Sequence, residues 1–535
     1  MLKTRRELTA KIVTALICAL ALGADLLGRE SLLSANPAVP LNRIIPAAPM
    51  ATSADLLAYT PHFASLCLLL AYFIFTALMG WRALNLLLSE KGTPPHWLVQ
   101  LSAGFLPGYL IVAAFNRLLG AVLSQTEAPY LSFSATVVIG VALLTTQPLP
   151  RLRSLSAEML FTRLGEFSFL IFALSYALID GIQVAPSSFL TYFQELITQG
   201  AVADTRMPWV ARSYDELAFL SPLVLLLGGP QVPATVFFWF LQSIARLSAL
   251  GLLYVLALRC QVRHGYALLI ALFLWLGTTA LYPIEYLPVF SARNPLYFTL
   301  HPGGLAAMLV PALVALSMVR RHPSLQSIDR ITLFLFGAGI ATLDLSVPLA
   351  ALVFSVAALS TQKKFQLTPL ALFLLMGCAT LILFGGNGFA ALIWKGRLLD
   401  ESLWLPSPSG EPSPLPAHLR FFVMPLALCS FAWLSTRADV VLRKLMLASV
   451  ILFFIGFVLD PLGTLVASSS LGMMLFSLSI LFKHLQGRQL TALTVIVILC
   501  TFPVFFTSNR PGQWIENWRH STTILWSRLT SRNNL

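Results

Sequence analysis

The residues best suited to chemistry in this sequence lie in one polar segment, residues 182–221, between two long apolar runs. Its closely spaced charged residues are Asp204, Arg206, Arg212, Asp215 and Glu216. A carboxylate can act as a general base toward a hydroxyl group or bind a divalent cation. A guanidinium group matches the oxygens of a phosphate. The segment therefore combines candidate bases with candidate phosphate contacts.

Two further polar segments hold groups of the same kinds. Residues 283–303 contain Glu285, Arg293 and His301, and residues 385–420 contain further carboxylates and bases. An acid on one loop and cations on the others suit a site for a lipid-phosphate donor and a sugar or lipid acceptor. His301 stands directly before a Pro-Gly-Gly sequence, so capping of the next helix is the alternative role for it.

The elements that must hold these loops are predicted from composition. Of the 535 residues, 57% are hydrophobic and only 11% are charged, and the mean hydropathy is +0.80. A soluble protein would carry about 25% charged residues. Successive apolar runs of about 20 residues predict helices that cross a membrane. The predicted fold is therefore all-α, a polytopic integral membrane bundle of about 13–15 transmembrane helices with amphipathic helices in its outer loops.

The net charge of +13 predicts the orientation of the chain rather than a nucleic-acid partner. The lysines and arginines lie at the ends of apolar runs and form no continuous stripe, which argues against binding of nucleic acid. With Lys3, Arg5 and Arg6 in the cytoplasm, the basic loops share the cytoplasmic side and the three polar segments share the other. The predicted location is a bacterial inner membrane, with the polar loops periplasmic or extracellular.

Three regions follow from this topology. Residues 1–150 are predicted to form an N-terminal group of about four transmembrane helices. Residues 151–507 form the transmembrane core that carries the three polar loops, and residues 508–535 form an amphipathic segment at the outer interface. Within the core, residues 217–230 are apolar but interrupted by proline and glycine, and they predict a re-entrant or surface-lying piece.

One acid lies in an otherwise apolar run. Residues 331–360 are predicted to form two short helices that turn near Leu343 and Asp344. An acid within a membrane is a functional candidate by default, but a hairpin tip near water is a simpler place for Asp344. The six cysteines form no CxxC pair and are predicted to be apolar packing residues, so no metal site is predicted.

A resemblance to a known family rests on these loops. A polytopic chain whose large outer loop carries an acidic motif, here the run Tyr-Asp-Glu-Leu-Ala-Phe at 214–219, resembles the GT-C superfamily of membrane glycosyltransferases. The resemblance covers residues 163–506. It implies transfer of a sugar from a polyprenyl-phosphate-linked donor to a lipid-linked glycan or another acceptor at the outer leaflet. No cofactor is firmly implied, and a divalent cation stays open.

The resemblance also implies roles for single residues. Asp215 would be the catalytic base, supported by Glu216 or Asp204. The residues that would contact the donor phosphate or other parts of the substrates are Arg206, Arg212, Glu285, Arg293 and His301.

Three other functions stay open. An O-antigen-type polymerase or ligase also uses an outer loop but depends on its bases, here Lys395, Arg397, His418 and Arg420. A transporter or flippase of a lipid-linked substrate would move that substrate without forming a glycosidic bond. A non-catalytic membrane scaffold would use the loops only for assembly. A Walker loop and an HExxH motif are absent from the sequence, which argues against P-loop nucleotide hydrolysis and zinc proteolysis.

Overall fold

The computed structural model describes residues 63–88, 97–122, 128–146, 164–180, 219, 234–279, 302–319, 325–343, 346–361, 368–384, 415–435, 439–459 and 464–501. These residues form fourteen helices and contain no strand. The helices are α1 (Phe63–Leu88), α2 (Trp97–Val122), α3 (Ala128–Thr146), α4 (Leu164–Asp180), α5 (Ala234–Arg259), α6 (His264–Thr279), α7 (Pro302–Met318), α8 (Ser327–Thr342), α9 (Ser346–Leu359), α10 (Pro369–Phe384), α11 (Leu415–Ser435), α12 (Val440–Leu459), α13 (Thr464–His484) and α14 (Gly487–Thr501).

The all-α prediction is confirmed for this part of the chain. Each apolar run that it contains is a helix, and the predicted hairpin within 331–360 is the pair α8 and α9, which turns at Leu343. Asp344 itself, the predicted first helix and the C-terminal segment 508–535 lie outside the described residues.

Two of these helices are long and apolar enough to cross a membrane. The qualifying stretches are Leu68–Leu87 in α1 and Trp97–Leu119 in α2. Seven shorter apolar helices of 10–17 residues accompany them in the described part of the chain. An apolar core helix meets the same criterion, and α2 is largely buried. The number of transmembrane helices therefore stays a prediction.

Helix α2 is the centre of the bundle. It packs against α1, α3, α5, α7, α8 and α10. All ten of its residues from 105 to 114 are buried. An apolar run that is buried on every side has no polar face, because each direction meets another helix. The position of α2 therefore determines where its neighbours lie.

Glycines allow α1 and α2 to approach closely. A Cβ atom added at Gly80 would lie 1.7 Å from the carbonyl oxygen of Gly104, and one at Gly108 would lie 1.8 Å from the carbonyl oxygen of Thr76. Gly104 and Gly108 are four residues apart, so they lie on one face of α2. This spacing is the small-residue pattern that lets two helix backbones touch, and it is common between membrane helices.

Glycines also allow close backbone contact between α8 and two neighbouring helices. A Cβ at Gly337 would lie 2.1 Å from the carbonyl oxygen of Leu374 in α10, and a Cβ at Gly377 of α10 would lie 1.9 Å from that of Phe334. On the next face of α8, Gly339 approaches the carbonyl oxygen of Leu110 in α2. Helix α8 is therefore held between α10 and α2 by backbone contact.

Proline in α2 is compensated by a serine from α5. Pro107 has no N–H group, so it cannot donate a helical hydrogen bond to the carbonyl of Ala103. The hydroxyl of Ser248 donates to that carbonyl at 3.1 Å and accepts from the N–H of Leu106 at 2.9 Å. All three groups are buried, where a lone carbonyl would be costly. The contact fixes the register between α2 and α5.

Charged side chains collect at one end of the bundle, which we call the charged face. Its described charged residues are Arg82, Arg259, Arg263, Arg330, Arg443, Lys444, Lys483 and Arg488, with Glu166, Asp329 and Asp439. Polar contacts tie these helix ends together across the sequence. Arg82 at the end of α1 pairs with Asp329 at the start of α8, and Lys483 at the end of α13 pairs with Asp439 before α12.

We predict that Gly80→Ala will destabilise the protein by about 1–3 kcal/mol, the usual cost of overpacking. The new methyl group meets a backbone carbonyl that cannot rotate away, so the two helices must separate. The measurement is the free energy of unfolding of the purified protein. Val138→Ala in α3 is the control, because Val138 is exposed and its loss should change stability by under about 0.5 kcal/mol. Equal or higher stability of Gly80→Ala would contradict the close approach.

Candidate functional site

The acidic motif predicted at 214–219 ends in a residue that the structure places inside the bundle. Phe219 is fully buried, and its ring lies 4.9–5.9 Å from the rings of Tyr72, Phe73, Phe105 and Tyr109. These distances are those of attractive aromatic pairs. The polar loop is thus anchored at its C-terminal end between α1 and α2.

A hydrogen bond to its backbone carbonyl fixes Phe219 among these aromatic rings. We call this position between α1 and α2 the aromatic slot. The hydroxyl of Tyr72 donates to the carbonyl oxygen of Phe219 at 2.8 Å. Tyr72 is in turn held by Thr76, whose hydroxyl donates to the Tyr72 carbonyl at 2.8 Å. Tyr72 also stacks on Phe133 of α3 at 5.8 Å. Three helices therefore set the position of this single residue.

The anchor lies near the middle of the helices. Tyr72 is the tenth residue of the 26-residue α1, and Tyr109 is the thirteenth residue of the 26-residue α2. At 1.5 Å per residue, Tyr109 is about 18 Å from either end of α2. The described end of the predicted outer loop thus reaches the interior of the bundle. The predicted re-entrant or surface-lying piece at 217–230 lies outside the described residues except for Phe219 and stays a prediction.

A buried arginine lies at the same level. Arg246 is in the middle of α5 and is 3% exposed. Ser248 contacts Ala103 and Leu106, whereas Gly251, further along α5, approaches Ser102 and Ala103. The helices α2 and α5 therefore run antiparallel, and Arg246 lies at about the level of Pro107. A buried guanidinium group is stable only beside an anion or several acceptors. Among the buried charges of the described residues, Arg246 alone is far from a helix end.

The predicted catalytic and binding residues themselves lie outside the described residues. They are Asp204, Arg206, Arg212, Asp215, Glu216, Glu285, Arg293 and His301. Lys395 and Arg397 of the third polar segment also lie outside, whereas His418 and Arg420 belong to the first turns of α11. The proposed meeting of the three loops accordingly stays a prediction. The structure adds two observations. Phe219 is buried between α1 and α2, and Arg246 is buried in α5 at about the level of Pro107.

A second polar cluster joins three helix ends at the charged face. Tyr254 of α5 donates its hydroxyl proton to Glu166 of α4 at 2.7 Å, and its oxygen lies 2.8 Å from Nδ1 of His264, the first residue of α6. Because the hydroxyl has one proton, Nδ1 must donate in the second contact. Glu166 is buried in the first turn of α4, where the helix dipole favours a negative charge. We interpret this cluster as a junction between helices.

Neither a metal site nor a reactive thiol is found among the described residues. They contain no group of three or more histidine, cysteine or acidic side chains that could hold a metal ion. Burial raises the pKa of Cys260, next to the charged face, to about 12. A thiol with such a pKa is protonated at neutral pH and is a poor nucleophile.

Sequence reasoning missed both Phe219 and Arg246. A signal for Arg246 was present, since a charge inside an apolar run is a functional candidate. Phe219 gave no comparable signal, because a phenylalanine beside other apolar residues is ordinary. Only the packing of residues that are 147 positions apart distinguishes it.

We predict that Tyr254→Phe will lower the free energy of unfolding by about 1–3 kcal/mol, because buried Glu166 loses a donor. Tyr266→Phe is the matched control, since the Tyr266 ring stacks on Phe482 and packing is retained. A double-mutant cycle of Tyr254→Phe with His264→Gln should show a coupling energy of about 0.5 kcal/mol or more. Additive effects within error would mean that the three groups do not act together.

Comparisons with known proteins were made for the whole chain. No protein-family model, no curated protein and no solved structure matches it. The assignment of function therefore rests on the residues and their arrangement.

Proposed function

We propose that the chain is a polytopic integral membrane glycosyltransferase. It would move a sugar from a polyprenyl-phosphate-linked donor to a lipid-linked glycan or another acceptor at the outer leaflet. The observation that carries the proposal is the burial of Phe219, which holds the end of the acidic loop inside the bundle. A loop that served only as a solvated connection would have no need of such an anchor.

The surface of the bundle supports a membrane location. Large apolar side chains are exposed along α1, α3, α9, α10, α12 and α14. In water such surfaces would promote association, whereas lipid chains cover them without cost. Most of the described lysines and arginines lie at the charged face, as expected for the cytoplasmic side of a membrane protein, and Arg117, Arg246 and Arg420 are the exceptions. The polar loops would then lie on the opposite side.

Chain connectivity brings the predicted base near the slot. Asp215 and Glu216 precede Phe219 by four and three residues. Consecutive Cα atoms are at most about 3.8 Å apart, so these residues lie within about 15 Å and 11 Å of an anchored position. A donor headgroup bound close to Phe219 would be within reach of both carboxylates.

The proposed reaction needs one base and one fixed cation. Asp215 removes the proton from an acceptor hydroxyl, whose oxygen attacks the anomeric carbon of the sugar. The bond between that carbon and the phosphate oxygen breaks, and polyprenyl phosphate leaves with the electron pair. A cation beside the leaving phosphate lowers the barrier, because charge on the phosphate increases in the transition state. Arg246, fixed in the interior at the level of Phe219, is our candidate for this contact.

We predict that Asp215→Asn will reduce sugar transfer by about 100- to 10,000-fold, the usual contribution of a general base. The assay uses proteoliposomes with a panel of polyprenyl-phosphate-linked hexoses and pentoses and measures new lipid-linked glycan. Glu411→Gln in the third polar segment is the matched control and should retain transfer. Unchanged product in Asp215→Asn would reject the base assignment. Movement of donor across the liposome membrane without a new glycosidic bond would favour the transporter alternative.

We predict that Arg246→Gln will lower kcat/KM for the donor about tenfold or more, equivalent to ~1.4 kcal/mol of transition-state stabilisation. Arg246→Lys should recover part of the rate, because it retains the charge but not the planar fork. Arg263→Gln, which removes an exposed arginine of the charged face, should have no effect. Size-exclusion chromatography identifies variants that fail to fold. A folded Arg246→Gln protein with unchanged kcat/KM would show that Arg246 serves packing alone.

A further inference from the structure

An exposed apolar surface runs along two neighbouring helices, α9 and α12. Its members on α9 are Leu349, Leu352 and Val356, and its members on α12 are Leu447, Ile451 and Phe454. Each is 40–51% exposed. The spacing of three or four residues places each set on one helix face, and the two helices pack against each other. We call this surface the α9–α12 face.

The length of the α9–α12 face matches one leaflet of a bilayer. From Lys444 to Phe454 is ten residues, and from Ser360 back to Leu349 is eleven. At 1.5 Å per residue these distances are about 15 Å and about 16 Å. Half of a typical hydrocarbon core is about 15 Å thick. The face is therefore as long as the acyl chains of one leaflet are deep.

Two cations lie at the end of the α9–α12 face that adjoins the charged face. Lys444 donates from Nζ to the carbonyl oxygen of Ser360 at 2.9 Å and to its hydroxyl at 3.2 Å. The guanidinium carbon of Arg443 lies 4.7 Å from the centre of the Trp433 ring, and Nη2 donates to the Trp433 carbonyl oxygen. These contacts hold both cations at the junction of α9, α11 and α12.

No carboxylate of the described residues pairs with these two cations. Elsewhere on the charged face, Arg82 is neutralised by Asp329 and Lys483 by Asp439. Lys444 and Arg443 instead use only neutral oxygens and an aromatic ring. Two positive charges beside an apolar face of leaflet length complement a molecule with a negative headgroup and long acyl chains. The exposed indole of Trp433 is typical of the interfacial layer between them.

We propose that the α9–α12 face binds an anionic phospholipid of the adjacent leaflet. Lys444 and Arg443 hold the headgroup phosphate, and the acyl chains lie along α9 and α12. The site rests on the membrane location in the proposed function but not on sugar transfer. A zwitterionic lipid would fill the apolar part equally well and would gain less from the two cations.

The test is lipid binding to the full chain in detergent micelles, measured by native mass spectrometry. The probes are phosphatidylglycerol and phosphatidylcholine with identical acyl chains. Wild-type protein should retain phosphatidylglycerol preferentially. The double variant Arg443→Gln, Lys444→Gln should lose about 25-fold in phosphatidylglycerol affinity, about fivefold for each cation, and little in phosphatidylcholine affinity. Arg263→Gln is the control. Arg263 is exposed on the charged face, but the described apolar side chains of the neighbouring helix α6 are buried and offer no surface for acyl chains.

Several outcomes would overturn the site. One is an equal phosphatidylglycerol affinity in the wild type and the double variant. Another is full competition by glycerol phosphate, because that result would indicate a site for free anions rather than for a lipid. If the double variant does not fold, Lys444→Gln and Lys444→Arg replace it, and only the arginine variant should keep the preference. Sugar transfer is assayed separately, so its absence leaves this site intact. Recovery of the chain from the aqueous fraction without detergent would remove the membrane location on which both proposals rest.

Discussion

The structure depends on satisfying the backbone of α2 where water is excluded. Pro107 leaves the carbonyl of Ala103 without its helical partner, and Ser248 of α5 supplies the missing donor. Gly104 and Gly108 let α1 approach until backbones touch on another face. The hydrogen bond and the glycine contacts fix α1, α2 and α5 relative to one another. The slot for Phe219 and the level of Arg246 follow from that arrangement.

Most charged side chains of the described residues lie at the charged face, and few lie in the interior of the bundle. At the charged face, acids and bases pair between helix ends, and these contacts connect α1 with α8 and α12 with α13. In the interior, Phe219 lies among aromatic side chains of α1 and α2, and Arg246 is the one buried charged residue of the described residues away from the helix ends. The charge pairs that join helix ends are thus distant from Phe219 and Arg246, which lie in the interior.

The helices were predictable from the sequence, but which helices pack against each other was not. Apolar runs of about 20 residues favour helices, because a helix satisfies its buried backbone hydrogen bonds within the run itself. The turn between α8 and α9 was predictable because residues 331–360 were flanked by charge and too short for two full spans. The pair Arg82 and Asp329 is separated by 247 residues, and no local pattern reports such a contact. The predicted catalytic and binding residues lie outside the described residues, so their convergence stays a prediction.

The anchor at Phe219 also constrains the order in which the chain can assemble. Its partner Tyr72 is synthesised 147 residues earlier. At ribosomal rates of about 5–20 residues per second, the aromatic slot between α1 and α2 waits roughly 7–30 seconds for its occupant. During that time α3 and α4 emerge and must not fill the slot. Phe219 can therefore take its position only after α1, α2 and α3, which supply the aromatic residues around it, have been synthesised.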